Sequence, residues 1–384
     1  MSAWYYSYAI YAGRRFSKKV SRTASRDFHP AVSVIKPLCG LDFNIYQNLA
    51  SFCQQIYPKY QIIFGVQNPL DPCISVVKQI IHDYSDLDLQ LVISDVSIGA
   101  NQKVNNLANA AAQAKYPILV LADSDVRVGP NYLQQIVQPL QDPTVGAVTC
   151  LYRPITKGVV ANFEALGIST DYLASVIVAH RLEGLQFTLG PTVVVRASAF
   201  ESVGGFVAIA DYLADDFQIG FLLAQANYKV VLSEYIIDHL ITTESWKDLV
   251  QRQVRWHLCT RVSRPWGYLG LLFTHGTVTS LGVVVATSGA WQAWVLLALI
   301  WSLRLGMAQT VGVTVLKEPM AKRAIWLVPM RDFVSFAIWC YAWFIRQIEW
   351  RGKVYRLAKG GKLVLQSTSE ELQPVSSALS SQPK

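Results

Sequence analysis

The sequence predicts an α/β domain built on a Rossmann-like, mostly parallel sheet and followed by C-terminal membrane helices. Between residues 31 and about 196, β-rich runs alternate with segments of helical spacing, the pattern of βαβ units. An acidic pair, Asp123 and Asp125, closes one of these runs. Beyond Arg264 three long apolar runs follow one another, and stretches of about 20 apolar residues are transmembrane candidates.

The strands and helices of the α/β part are predicted from hydrophobic periodicity. The predicted strands are Ala31–Ile35, Gln61–Val66, Leu89–Ile93, Pro117–Ala122, Gly146–Cys150 and Thr192–Arg196. The predicted helices between the first four strands are Leu41–Tyr57, Pro72–Tyr84 and Asn101–Ala114. The run Pro117–Ala122 is apolar throughout, which is typical of a parallel strand buried on both faces.

The apolar runs predict an integral membrane protein. They are Leu269–Thr287, Trp291–Val315 and Ala324–Ile345. Trp and Tyr cluster near their ends, as at membrane interfaces. The alternative is a set of buried helices in a large soluble protein. Basic residues flank both sides of this region, which favours an even number of crossings and a cytoplasmic α/β domain. We therefore expect Ala324–Ile345, which Pro329, Arg331 and Asp332 interrupt, to be re-entrant or interfacial.

Composition excludes several other classes of protein. The net charge is 34 − 26 = +8, but no nucleic-acid motif accompanies it, so we predict no nucleic-acid partner. Basic blocks beside apolar runs instead favour anionic lipid surfaces. The 6 cysteines are scattered without a Cys-x-x-Cys pair, which argues against a zinc site or a disulfide framework.

These patterns divide the chain into five segments. They are a basic, interfacial N-terminal segment (1–30), the α/β domain (31–241), an amphipathic interface helix (242–266), the membrane helices (267–348), and a basic C-terminal segment with a disordered tail (349–384).

The acidic pair is the strongest chemical signal. Residues two apart on an extended segment point to the same side, so Asp123 and Asp125 can both face one hard cation. Mn²⁺ and Mg²⁺ suit carboxylate oxygens, and such ions bridge to substrate phosphates. Ligands bind at the carboxyl ends of strands in open α/β sheets. The pair therefore indicates a site for a nucleotide-diphosphate sugar.

Several motifs in order resemble the ceramide glucosyltransferase family, which has the glycosyltransferase-A (GT-A) fold. They run from about Val32 to Gly361 and comprise Val32–Pro37, Gly65–Pro72, Gly99–Leu107, Ala122–Arg127, Gly204–Phe206, Ala210–Asp216 and Arg252-x-x-Arg255-Trp256. The resemblance implies a membrane enzyme that moves one sugar, with glucose expected, from a UDP-sugar to a lipid hydroxyl with inversion. It also implies that Pro37, Asp71, Lys103 and Asp123 bind the nucleotide sugar, and that Asp123 and Asp125 hold the metal.

The remaining roles follow from chemistry and agree with the resemblance. Transfer to an alcohol requires removal of the hydroxyl proton, and the Asp216 carboxylate suits that role. Its neighbour Asp215 is expected at the surface or as a helix cap. Arg252 and Arg255 share a helix face and could neutralise the leaving diphosphate, while Trp256 could wall the pocket. The alternative for this segment is a purely interfacial helix.

Two nucleotide-site assignments have simpler alternatives. Lys103 begins a helix, where its charge and the helix N-terminus would both attract phosphate, but it could also be a solvated surface lysine. Asp71 lies between a strand and a helix, where it could simply cap the helix or a turn.

The acceptor is open at this stage. Eukaryotic members carry a functional His where this chain has Gly167–Tyr172, a segment without His. Leu38-Cys39-Gly40 looks more like the bacterial branch, which includes transferases of N-acetylglucosamine to a hopanoid polyol such as bacteriohopanetetrol. Further alternatives are a processive polysaccharide synthase, which needs more membrane helices, and a non-enzymatic scaffold, against which the intact acidic set argues.

Overall fold

A computed structural model describes residues 1–20, 28–350 and 353–368 of the chain. Its centre is an eight-stranded mixed sheet with the order β3-β2-β1-β4-β7-β6-β8-β5. The strands are β1 Val32–Leu38, β2 Tyr60–Val66, β3 Asp88–Ile93, β4 Ile118–Ala122, β5 Val126–Arg127, β6 Val145–Thr156, β7 Thr192–Arg196 and β8 Lys229–Ile241. A separate antiparallel sheet holds β9 Gln347–Trp350, β10 Lys353–Leu357 and β11 Leu363–Thr368.

The first half of the large sheet is parallel, as predicted. Strand β1 lies between β2 and β4, and β2 pairs with β3, all in parallel. All five residues of β4 are buried, which explains its unbroken apolar sequence because helices cover both faces. The carboxyl ends of these strands meet at one edge, the usual place for a ligand in such sheets.

The second half of the sheet departs from a simple alternation. Strand β7 is antiparallel to both β4 and β6, whereas β6 and β8 are parallel along most of their length. The sequence pattern predicted only Gly146–Cys150 of β6, and β8 was not predicted. Strand β8 has an irregular burial pattern and carries Glu234, Asp238 and His239, so neither strict alternation nor an apolar run marks it.

Sixteen α-helices are described in these residues. They are α1 Ser2–Val20, α2 Ile45–Cys53, α3 Cys73–Asp83, α4 Gln102–Ala111, α5 Tyr132–Ile136, α6 Val159–Gly167, α7 Leu173–Glu183, α8 Ala197–Ser202, α9 Gly205–Ile209, α10 Asp215–Gln225, α11 Trp246–Ser263, α12 Pro265–Gly270, α13 Gly276–Ala286, α14 Trp291–Ala308, α15 Pro319–Ala324 and α16 Val328–Ala342. Helix α4 begins where predicted because the side chain of Asn101 accepts hydrogen bonds from the backbone N–H groups of Lys103 and Val104.

By length and composition, one helix among the described residues could cross a bilayer. It runs from Trp291 to Val315, because a π-helical turn continues α14. The pieces Pro265–Thr274 and Gly276–Ala286 would form a second crossing if they act as one span, but they meet at 59°. The third apolar run is divided among α15, a short 3₁₀ turn and α16. The number of crossings therefore stays a prediction.

Two charged residues in these helices, Arg304 and Asp332, are paired in the interior. Arg304 of α14 is 1% exposed, and its Nη2 donates to Oδ1 of Asp332 in α16 at 2.8 Å. Its Nη1 donates to the carbonyl oxygen of Thr170 at 2.9 Å, and Thr277 of α13 donates to Asp332 at 2.6 Å. This cluster joins three C-terminal helices to the segment that connects α6 to α7.

The N-terminal helix is packed into the same region. Tyr6, Ala9, Ala12 and Phe16 are buried on one face of α1, which contacts α7 and α14. The Tyr6 hydroxyl donates to the carbonyl oxygen of Thr274 at 2.7 Å and accepts from the N–H of Gly276 at 3.0 Å. Tyr6 thus supplies hydrogen-bond partners at the bend before α13. The basic residues Arg22 and Arg26 lie outside the described residues.

The C-terminal sheet was not predicted. Leu363 N–H donates to the carbonyl oxygen of Asp211 at 2.7 Å, and buried Tyr355 and Leu363 belong to an apolar cluster with Leu249 and Leu258 of α11. This sheet therefore packs against α11. The part of the predicted disordered tail beyond Thr368 lies outside the described residues.

Candidate active site

A cleft of about 790 Å³, the main cleft, opens at the carboxyl end of β4. It brings together groups that are far apart in sequence: the acidic pair after β4, the start of α10 and one face of α11. Seven residues predicted to be functional line it: Lys103, Asp123, Asp125, Asp216, Arg252, Arg255 and Trp256.

The acidic pair lies in a turn and not on an extended strand. Strand β4 ends at Ala122, and the N–H of Val126 donates to the carbonyl oxygen of Asp123 at 3.4 Å. The period-of-two argument therefore does not apply to this pair. The turn nevertheless places both carboxylates in the main cleft, with a different basic partner for each.

Lys103 is the partner of Asp123 and is not a surface lysine. Its Nζ lies 2.6 Å from Oδ1 of Asp123 and 3.8 Å from Oδ2 of Asp215. Burial lowers the pKa of Lys103, but the charges of these carboxylates outweigh burial and raise it above its ordinary value. Asp215 is 8% exposed, so the expectation of a surface role for it is wrong. This residue instead adds negative charge beside Asp216.

His239 is the partner of Asp125 and was missed because β8 was missed. Its Nε2 lies 3.2 Å from Oδ2 of Asp125, and its ring meets Tyr152 edge-on at 5.1 Å. Burial alone would raise the pKa of Asp125 and lower that of His239. Their mutual charge and hydrogen bond outweigh burial and shift both pKa values the other way.

The donor set fits a hard divalent cation that also binds a substrate. Oδ1 of Asp125 is buried and has no hydrogen-bond partner among the described residues, which leaves an oxygen available for a metal ion. No group of three His, Cys, Asp or Glu side chains in the described residues is arranged to hold a metal. A cation bound by the two carboxylates would therefore need further oxygen ligands from phosphate or water.

Asp216 stands at the first turn of α10 with one oxygen facing the cleft wall. Its Oδ1 accepts a hydrogen bond from the N–H of Phe217 at 2.8 Å. A Cβ atom added to Gly190 would lie 3.0 Å from its Oδ2, so the absence of a side chain at Gly190 makes room for this carboxylate. Burial and the neighbouring charge of Asp215 raise the pKa of Asp216 to about 7, against the opposing effect of Lys103. A carboxyl group with such a pKa can take up a proton near neutral pH.

Helix α11 contributes Arg252, Arg255 and Trp256 to the opposite wall. Arg252 Nε lies 3.7 Å from Oε1 of Glu164, a fully buried residue whose other oxygen accepts a hydrogen bond from Thr243. The Arg255 guanidinium lies 5.9 Å from the ring centroid of Trp350 in β9. Glu164 was not identified from sequence, because a lone Glu in an apolar helix gives no functional signal.

Trp256 stacks on Tyr172 with ring centroids 6.2 Å apart and an interplanar angle of 25°. Both rings line the main cleft. Tyr172 ends the segment Gly167–Tyr172, so an aromatic pair occupies this part of the wall. The other predicted residues on α11 are cationic, which leaves Trp256 as the apolar contact of that set.

Pro37 and Asp71 lie beside the main cleft and not in it. Pro37 lines a small cavity of about 160 Å³, which shares Asp42, Lys103, Asp123 and Asp125 with the main cleft. Asp71 lines neither cavity. Its carboxylate accepts hydrogen bonds from the N–H of Gly40 at 2.9 Å and of Cys73 at 2.9 Å. It thus ties the loop after β1 to the start of α3, and its role toward a nucleotide stays a prediction.

Lys36 is a third residue that sequence reasoning missed as part of the site. It is fully buried in β1, and its Nζ donates to the carbonyl oxygen of Asp123 at 2.8 Å and lies 3.7 Å from the ring centroid of Phe52. Burial lowers its pKa to about 7. This side chain therefore supports the turn that carries the acidic pair. A lysine within an apolar strand is the sequence signal that could have identified it.

Comparison with known proteins places these observations in a family. The sequence profile described as Glycosyl transferase family 21 matches residues 1–363. Ceramide glucosyltransferase 1 of Caenorhabditis elegans is 26% identical over 370 residues, which cover 91% of this chain and 76% of the relative. Ceramide glucosyltransferase of Candida albicans is 37% identical over 124 residues, 29% of this chain and 23% of the relative.

A solved structure shares the fold. It is a mannosyltransferase from Pyrobaculum calidifontis in complex with GDP-Man and Mn²⁺, with a TM-score of 0.55 and 18% identity. The match covers 88% of this chain and 94% of that chain. The predicted GT-A fold of the α/β part is thereby confirmed.

Proposed function

We propose that this chain, which belongs to glycosyltransferase family 21, transfers one sugar from a UDP-sugar to a hydroxyl group of a membrane lipid. The names of its relatives favour glucose as the sugar and ceramide as the acceptor. The observation that carries the proposal is the position of Asp216, whose pKa is raised to about 7, in one cleft with the acidic pair and the basic face of α11.

The proposed reaction is a single displacement. The acceptor oxygen forms a bond to the anomeric carbon while the bond from that carbon to the diphosphate breaks, and Asp216 accepts the acceptor's hydroxyl proton. Attack from the face opposite the leaving group inverts the configuration at the anomeric carbon. Arg252 and Arg255 would stabilise the UDP that leaves, because guanidinium groups pair well with phosphate oxygens.

The other polar residues would bind the donor. Lys103 is placed to meet the diphosphate once phosphate oxygens replace Asp123 as its partner. A divalent cation, Mn²⁺ or Mg²⁺, held by Asp123 and Asp125 would neutralise diphosphate charge. Pro37 and the small cavity lie where a nucleoside attached to that diphosphate would extend. Asp71 would support this region by fixing the loop at Gly40.

A membrane acceptor would explain the C-terminal helices. The helix Trp291–Val315 has the length and composition of a span, and Arg304 of this helix donates a hydrogen bond to the carbonyl oxygen of Thr170, in the segment that ends at Tyr172. We propose an integral membrane protein with the catalytic domain on the cytoplasmic face, where the flanking basic residues would also lie.

A second acceptor class is supported by one feature. The segment Gly167–Tyr172 lacks the His of eukaryotic members, and Tyr172 stacks on Trp256 in its place. Transfer of N-acetylglucosamine to a hopanoid polyol is therefore the second candidate.

The decisive experiment is a transfer assay with purified protein in lipid. It crosses UDP-glucose and UDP-N-acetylglucosamine with ceramide, diacylglycerol and bacteriohopanetetrol. We expect one single-sugar product from UDP-glucose and ceramide. Product on the hopanoid alone would select the second candidate. A long polymer, or no lipid product while UDP-sugar still binds, would contradict the proposal.

The nucleotide site can be tested without turnover through Cys39. This residue is exposed and lines the small cavity, so we expect bound UDP to slow its alkylation by maleimide at least about tenfold at saturation. Cys340, which lines neither cavity, serves as the control, and mass spectrometry resolves the two sites. Equal rates at Cys39 with and without UDP would place the nucleotide elsewhere.

Lys36→Met tests the support beneath the acidic pair. Loss of the hydrogen bond to the carbonyl oxygen of Asp123 frees the turn to shift, so we expect affinity for Mn²⁺ to fall about 10- to 100-fold, as for other groups that orient metal ligands. Electron paramagnetic resonance of bound Mn²⁺ gives the affinity. Lys78→Met, on the exposed side of α3, is the control. Wild-type Mn²⁺ affinity in Lys36→Met would rule out this role.

A further inference from the structure

The main cleft continues beyond Asp216 as a groove between two helices. On the α7 side it is lined by Tyr172, Ser175, Val176 and Ala179. Their spacing of three and four residues puts them on one helix face. All but Tyr172 are aliphatic or small, so this wall leaves open space toward the facing helix.

The facing wall is the second half of α11. Trp256, Cys259, Thr260 and Ser263 line it, again at spacings of three and four residues. This face extends for about 10 Å, at 1.5 Å per residue. We call the space between these two faces the α7–α11 groove.

The α7–α11 groove is less polar than its sequence suggests. The Ser175 hydroxyl donates to the carbonyl oxygen of Tyr172 at 2.6 Å. The Thr260 hydroxyl donates to the carbonyl oxygen of Trp256 at 3.0 Å. Both hydroxyl protons are therefore used within their own helices. Apart from Ser263, what remains for a ligand is mainly aliphatic and aromatic surface, which suits a hydrocarbon and offers little to a second sugar.

The inner end of the groove is the reactive end. The negative charge of Asp216 contributes to the raised pKa values of both Tyr172 and Cys259, after the larger effect of burial. These two residues therefore lie within electrostatic reach of the proposed base. A hydroxyl group presented from the groove would approach Asp216 from the side of the Tyr172–Trp256 pair.

The outer end meets exposed apolar side chains. Arg264 and Glu183 form an ion pair at 2.7 Å between the ends of the two helices. Next to them in sequence, Trp266 is 83% exposed and Leu182 is 53% exposed. Exposed aromatic and apolar residues beside a basic residue are typical of contact with the membrane interface.

We infer that the α7–α11 groove holds the proximal part of the acceptor lipid's alkyl chain, which reaches the membrane past the Arg264–Glu183 pair. This inference rests on the proposed function and adds to it the path of the acceptor. The hydroxyl to be glycosylated lies at Asp216, and the chain runs outward along α7. A polysaccharide acceptor would find few hydrogen-bond partners in this groove.

The test is to fill the groove without touching the reactive residues. Ala179→Trp places a large side chain between the helices, and Ala112→Trp, at an exposed position after α4, is the matched control. With UDP-glucose as donor, kcat/KM for long-chain ceramide is expected to fall at least about tenfold in Ala179→Trp. The affinity for UDP, measured through protection of Cys39, should stay at the wild-type value, because Ala179 does not line the small cavity.

The possible results distinguish failure of the proposed groove from failure of the proposed function. An equal loss of UDP affinity in Ala179→Trp, or no loss of transfer to ceramide, would overturn the groove. No transfer by the wild-type protein to any lipid would instead contradict the proposed function. A second test uses wild-type protein and so does not depend on whether Ala179→Trp folds. It is photolabelling with a ceramide that carries a diazirine in its chain. Label in peptides 172–183 and 256–267 would support the groove, and label only elsewhere would overturn it.

Discussion

Asp216→Asn is expected to lower the rate of sugar transfer by about 10²- to 10⁴-fold, the usual contribution of a positioned general base. The amide can still accept the hydrogen bond from the N–H of Phe217, and it has nearly the same shape. It cannot accept a proton from the acceptor. We therefore expect donor binding to persist while turnover is lost, which a binding assay with UDP-glucose and a transfer assay together would measure.

Asp95→Asn is the control for this substitution, because Asp95 is an exposed Asp after β3 that lines neither cavity. It should leave both measurements unchanged. Transfer by Asp216→Asn at more than a tenth of the wild-type rate would remove Asp216 from the role of base.

The pH dependence of turnover tests the same residue without substitution. The base acts in its deprotonated form, so the rate should rise with pH and level off above the pKa of Asp216, about 7. Below that pH the rate should fall about tenfold per pH unit as the carboxylate is protonated. An Asp with an ordinary pKa of about 4 would give a flat profile from pH 5 to pH 7, and that result would contradict the environment described for Asp216.

Asp332→Ala is expected to destabilise the folded protein by about 3–5 kcal/mol, the usual effect of removing one partner from a buried ion pair. Arg304 is 1% exposed, so its charge would remain in the interior without its carboxylate. The Thr277 hydroxyl would also lose its acceptor. Thermal unfolding in lipid nanodiscs would report the loss.

The double variant Arg304→Met/Asp332→Leu separates charge from packing. It removes both charges at similar volume, so we expect most of the lost stability to return. A free energy of unfolding for Asp332→Ala within about 1 kcal/mol of the wild-type value would mean that the pair is more solvated than its burial implies. A double variant as unstable as the single one would show that packing, and not charge, dominates.

The predictable part of this protein is the part whose sequence signals are local. The apolar run of β4 predicted a buried strand, and Asn101 at the start of α4 supplied a clear helix cap. Strand β8 was missed because its pairing with β6 depends on residues about 80 positions away. His239, the partner of Asp125, lies on β8 and was missed for the same reason. The sequence therefore revealed the acidic pair but not the residues around it.

The partners of the residues that support the site were also beyond local patterns. Lys36 and Glu164 are single charged residues in otherwise apolar elements, and their partners, Asp123 and Arg252, lie 87 and 88 residues away in sequence. Asp215 was expected at the surface because two adjacent acids rarely share one environment. The fold buries it beside Lys103 instead. Burial and the negative charge of Asp215 raise the pKa of Asp216, whereas the charge of Lys103 lowers it.

The contact of Tyr6 with Thr274 and Gly276 has a consequence for biosynthesis. About 270 residues separate these partners, so a ribosome that adds roughly 5–20 residues per second needs roughly 15–50 s to produce the second after the first. During that interval the apolar face of α1 is already made, but its binding site is not yet complete. We expect the nascent chain to depend on a chaperone or on the membrane surface until the last third of the protein has been synthesised.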